Sequence, residues 1–103
     1  VKPSKHALSI MSAFILSLTA QAETVAERYP GPWEDEFNFE ITKALTKNEI
    51  GSCGHFKYRA SSMDKGEYLV YCTSDLENWT AYMVWPNIEK VLGPYQTDES
   101  LKD

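Results

Sequence analysis

Few residues in this 103-residue chain are placed to do chemistry. The stretch "GSCGHF" puts Cys53 two residues before His55, and Cys72 follows further along. Two thiolates and an imidazole would make three zinc ligands, but the spacing matches no paired-knuckle pattern. A Cys–His nucleophile pair needs a free thiol, and a disulfide between the two cysteines removes it. A Ser-His-Asp relay would have to use His55, the one histidine after residue 22, and no serine sits in an elbow-type motif. Glu34, Asp35, Glu36 and Glu40 cluster. Glycoside hydrolysis needs two carboxyls facing across a cleft, whereas acidic residues at a helix start already have a structural reason to be there. "GSCG" lacks the following lysine and preceding strand of a phosphate loop. "NWT", Asn78 to Thr80, fits a glycosylation sequon, but asparagine at a turn has its own conformational reason. No catalytic residue, metal ligand set or cofactor is expected.

The remaining candidate is aromatic. "ENWTAYMVWP", Glu77 to Pro86, holds two tryptophans, a tyrosine, a methionine and a valine. If it is a strand, large side chains project from both faces of a sheet. Tyr71, Trp79, Met83 and Trp85, with Lys57 and Arg59, then form a candidate binding face. Trp, Tyr and Arg are the types favoured at interface hot spots. The competing expectation is that Ile88, Val91, Leu92 and Tyr95 fold back and cover that face as a second small core.

The elements that position these residues follow from periodicity. Trp33, Phe37, Ile41, Ala44 and Leu45 share one helical face. Pro32 suits a first turn, and Lys43 and Lys47 suit the far end. One amphipathic helix is expected over residues 33–48. "HFKYRA" alternates with period two; "EYLVYCT" and "WTAYMVW" are rich in β-formers. Short loops between them imply an antiparallel meander. Pairing Gly54 with Cys72, Phe56 with Val70 and Tyr58 with Tyr68 gathers the apolar residues on one face. A slip of one residue would mix His55 and Lys57 into it. Tyr82 and Val84 join that face, beneath the helix. "NIEKVLGPY" has room for one short helical turn.

The ends set the context. Lys2, Lys5 and His6 precede an uncharged apolar run, Ala7 to Ala20, and "AQA" follows. That order is a secretory signal peptide, with cleavage before Glu23. The run is shorter than the ~20 residues a spanning helix needs, so no stable membrane insertion is expected after cleavage. A first residue of Val fits a literally translated alternative start codon, which favours a bacterial source, although a trimmed chain would look the same. Cleavage leaves 81 residues and takes Lys2 and Lys5 with it, so 8 basic residues face 15 acidic ones, a net −7. Nothing basic enough to neutralise phosphates remains, which argues against nucleic acid. A domain this small benefits from a staple, and an oxidising compartment supplies one, Cys53–Cys72.

The expectation is therefore an α+β domain: one N-terminal amphipathic helix packed on a three-stranded antiparallel β-meander, a short C-terminal helical turn and one disulfide. The signal peptide spans 1–22, a lead-in segment 23–32, the domain 33–95 and a polar flexible tail 96–103. The expected role is that of a small exported, non-enzymatic binding or accessory protein, periplasmic or extracellular. It would act on another exported protein or on itself as a homodimer, for example as an enzyme inhibitor or envelope-assembly factor. Carbohydrate or envelope-polymer binding through the tryptophans is the rival within binding, and a small hydrolase the rival from another class.

Overall fold

The structure is a computed structural model that describes residues 23–101. The expected signal peptide lies outside the described residues. The order is α1 (Val25–Arg28), α2 (Phe39–Lys47), β1 (His55–Ala60), β2 (Tyr68–Thr73), β3 (Thr80–Trp85), a single 3-10 turn (Pro86–Ile88) and β4 (Lys90–Tyr95). The four strands form one antiparallel sheet in the order β1-β2-β3-β4. The α+β class, the antiparallel sheet and the disulfide are as expected; the strand count is not. Residues 90–95 add a fourth strand, because the 3-10 turn after Pro86 reverses the chain and sets Lys90 beside Trp85.

The helix is shorter than periodicity implies. It begins at Phe39, where the Asn38 side chain accepts the N–H of Ile41, and not at Trp33. Upstream, Glu34 has been captured by the sheet. Its N–H donates to the carbonyl of Tyr58 and its carbonyl accepts from Tyr58 N–H, both at 2.9 Å. A residue paired to a strand edge cannot also be helical, so Trp33 and Phe37 leave the expected helical face. Ile41, Ala44 and Leu45 remain on it. They pack with Tyr58, Val70, Cys72, Tyr82 and Val84 to make the first core. Cys53 and Cys72 are bonded, with their Cα atoms 4.6 Å apart. The bond ties the approach to β1 into that core.

The register of β1 on β2 also differs. Phe56 lies opposite Cys72 and Tyr58 opposite Val70, two residues from the expected pairing. A shift of two preserves the faces, so hydrophobic matching alone does not distinguish these registers. The turn does. Ser61 N–H donates to the carbonyl of Glu67, and the Ser61 hydroxyl accepts from the N–H groups of Met63 and Asp64. These bonds fix a longer closing loop than the sequence pattern suggested.

The second face is covered, but by other segments than expected. Leu69, Tyr71 and Ala81 pack with Tyr29, and Trp33, Trp79, Met83 and Leu101 join them. The cover is the chain before α2 and the chain after β4. Ile88, Leu92 and Tyr95, expected as the cover, are exposed, and Val91 packs against the first core.

The N-terminal cover is pinned at one end. Thr24 and Glu27 form a capping box on α1: Glu27 N–H donates to the Thr24 hydroxyl, and Thr24 N–H donates to the Glu27 carboxylate. Arg28 then reaches the fully buried Glu67, donating from Nε at 3.1 Å and Nη2 at 2.8 Å, and the Tyr29 hydroxyl donates to the same carboxylate. Burial opposes ionisation of Glu67, but the bonds from Arg28 and Tyr29 prevail and hold its carboxyl below the ordinary 4.5.

Candidate functional site

Trp33, freed from the helix, lies on the second face of the sheet. Its ring centroid is 4.6 Å from that of Tyr71. The Arg59 guanidinium carbon lies 4.3 Å from the Trp33 centroid, and Arg59 Nη1 donates to the carbonyl of Tyr29. Next along β1, the Lys57 ammonium lies 4.8 Å from the Trp33 ring and 4.9 Å from the Trp79 ring. One cation thus engages two indole faces. The Trp33 indole N–H is enclosed without an acceptor among the described residues, a cost of ~1–3 kcal/mol. Departures from local consistency of this kind concentrate at functional sites.

Beside this pair opens a groove of about 750 Å³. Gly54, His55, Phe56 and Lys57 line it from the start of β1, and Asp35, Glu36 and Phe37 line it from the segment leading to α2. Trp33, Trp79, Pro32 and Leu76 complete it. Phe37 is 75% exposed and Leu76 60%. The loop holding Leu76 is shaped by Asp75. Its carboxylate accepts from the N–H groups of Asn78 and Glu77 and from the Asn78 side-chain amide, which hold its pKa well below the usual carboxylate range. Leu76 takes a positive φ of 66° at the tip. The Asn78 side chain of the sequon pattern therefore has a turn to hold.

The candidate binding face is divided by the fold. Lys57 and Trp79 border the groove. Tyr71 and Arg59, 5% and 6% exposed, lie under the N-terminal cover. The Tyr71 hydroxyl also accepts the N–H of Asp98 at 2.8 Å, and burial pushes its pKa up. Met83 is half-buried against the second core. Trp85 lies at the opposite end of β3, with the Lys90 ammonium 5.0 Å from its ring. Among the groove residues that sequence reasoning missed, Trp33 and Phe37 are hidden by their helical spacing and Leu76 by its place in a turn. A signal was present: "TVAE", Thr24 to Glu27, fits a capping box and marks a separate structured segment before α2.

Among the described residues no hydrogen bond joins His55 to Asp35 or Glu36, and no group of three or more His, Cys, Asp or Glu is placed to hold a metal ion. None of the described helices is long and apolar enough to cross a membrane. The chain matches no protein-family model, no curated protein and no solved structure.

Proposed function

We propose that the protein is a small exported binding module that acts by protein–protein contact, with the groove beside Trp79 as its contact site. One observation carries this reading: the groove is rimmed by Phe37 and Leu76, two large apolar side chains held out in solvent. Solvating such groups beside a concave surface is unfavourable, and covering them with a partner relieves it. Sugar recognition is less well served. A pyranose stacks on an open indole face, and the Lys57 ammonium already lies over one face of each of Trp33 and Trp79. Hydrolysis has less support still, since His55, Asp35 and Glu36 line one groove without the hydrogen-bonded relay that base catalysis uses. Export is supported by the three-part pattern of residues 1–22 and by a disulfide that persists in oxidising compartments.

The test is capture from the exported fraction of the native host with immobilised residues 23–103. The wild-type chain is expected to retain a protein that the Phe37→Ala/Leu76→Ala double variant loses, with circular dichroism unchanged between the two. Equal capture by both, or capture by neither, overturns the reading. Intact mass of the protein from that fraction should begin at Glu23.

A further inference from the structure

We infer that the groove is a strand-addition site, which takes an extended, cationic segment of a partner protein alongside the start of β1. The inference rests on the protein-contact reading above and names the kind of segment that fits.

The backbone supplies the first reason. Tyr58 directs its N–H and carbonyl outward, away from β2, to Glu34. In an antiparallel strand such outward pairs recur at every second residue. Phe56 therefore presents its N–H and carbonyl to the same edge, and among the described residues neither has a backbone partner there. The chain lies against β1 at Glu34, then turns away through Asp35, Glu36 and Phe37 to reach α2. The groove occupies the gap it leaves, between Phe56 and that departing segment. An extended peptide entering the gap would continue the pairing that Glu34 begins. Its side chains would meet Trp79 and Phe37, both of which line the groove.

Charge supplies the second reason. Asp35 and Glu36 form the outer wall, and Asp75 and Glu77 flank Leu76 on the loop beside it. Residues 23–103 carry a net −7. Lys57 also lines the groove, but its ammonium lies between two indole rings. A segment bearing Lys or Arg is drawn to such a wall, and an acidic one is repelled.

The opposite edge of the sheet supplies a contrast. β4 carries Lys90 at its start and Pro94, which has no N–H to donate, near its end. Charge and proline are the devices that blunt an edge strand against pairing. The stretch of β1 that borders the groove, Gly54 to Lys57, contains no proline, and the Lys57 charge is turned toward the tryptophans.

The experiment selects binders to disulfide-bonded residues 23–103 from a phage-displayed library of random linear twelve-residue peptides. The enriched peptides are then synthesised. They should be rich in Lys or Arg, with apolar residues at alternate positions. Binding should slow hydrogen exchange of the Phe56 amide at least about tenfold. Asp35→Lys/Glu36→Lys, both exposed positions, should weaken affinity about tenfold, the scale of two to three rim charge pairs. Enrichment without basic residues, an unprotected Phe56 amide in the complex, or no enrichment at all overturns the inference. If strand addition fails here while Phe37→Ala/Leu76→Ala still abolishes capture of an exported protein, the protein-contact reading stands without it. If peptides bind at Phe56 but no exported protein is captured, the reverse holds.

Discussion

Glu67 is the residue on which the second face most depends. It is fully buried, immediately before the start of β2, and its charge is held by Arg28 and Tyr29 from a segment distant in sequence. Glu67→Gln keeps the shape and removes the charge, which should lower stability by about 2 kcal/mol, the worth of a charge-assisted hydrogen bond. The pH dependence has a definite sign. The folded pKa lies below the ordinary 4.5, so the unfolded chain binds the proton more readily in that interval. Stability is full above 4.5 and is lost as pH falls through the lowered folded value. Urea midpoints between pH 6 and 3 should fall more steeply for the wild type than for Glu67→Gln. Tyr29 gives the alkaline counterpart. Burial, then its bond to Glu67, pushes its hydroxyl to about 12. Its contribution is present below 10 and lost as pH rises toward that value, and absorbance at 295 nm should show it as a late-titrating tyrosine. Little of this was visible in the sequence. "GEYLVYC" shows an acidic residue at the start of a strand, and nothing local says that Arg28 will reach it.

At the scale of elements, the sequence was most informative where one period dominates. The assignment of Phe56, Tyr58, Tyr68, Val70, Tyr82 and Val84 to a single face rests on alternation, and all six lie in or against the first core. The helix was overextended because Trp33 and Phe37 satisfy a spacing of four, while the bond that competes for this segment is a tertiary one, Glu34 to Tyr58. β4 was missed because "KVLGPY" contains glycine and proline, which read as a break. Gly93 explains how a strand persists there. Its φ is +139°, and a Cβ would lie 2.8 Å from a Tyr82 ring carbon and 3.0 Å from the Ala81 carbonyl, beside the register shift between Ala81 and Met83. Gly93→Ala should cost ~1–3 kcal/mol through overpacking and a disfavoured φ, read by chemical denaturation. The disulfide acts on a different element, the approach to β1. It closes a loop with a sequence separation of 19, so replacing both cysteines by alanine should cost ~3 kcal/mol on the loop-entropy argument. Reduction of the wild type should lower the melting temperature comparably.

At the scale of the whole molecule, the described segments before α2 and after β4 converge on one face of the sheet. The N-terminal segment brings Tyr29 and Trp33 over Leu69 and Tyr71, and the C-terminal segment brings Leu101 to the same cluster. The second contact is specific: Asp98 N–H donates to the Tyr71 hydroxyl, the Ser100 hydroxyl and N–H donate to the Asp98 carboxylate, and Leu101 N–H donates back to the Asp98 carbonyl. A run as polar as "QTDES", Gln96 to Ser100, carries no periodic signal for such docking; the apolar Leu101 that follows it is the cue. If the docking stabilises the sheet, removing residues 98–103 should lower stability by ~1–2 kcal/mol, about one half-buried leucine and one hydrogen bond. It should also open Tyr71 to water. The Tyr71 pKa is raised chiefly by burial, so truncation should return its titration toward the ordinary 10, while Leu101→Ser should lower stability and leave the Asp98 bond and most of that shift in place. Urea denaturation and absorbance at 295 nm on the same two variants separate the effects. A truncated chain with unchanged stability and an unchanged Tyr71 titration would mean that the N-terminal cover alone closes this face, and that the tail is free to serve the groove or a partner instead.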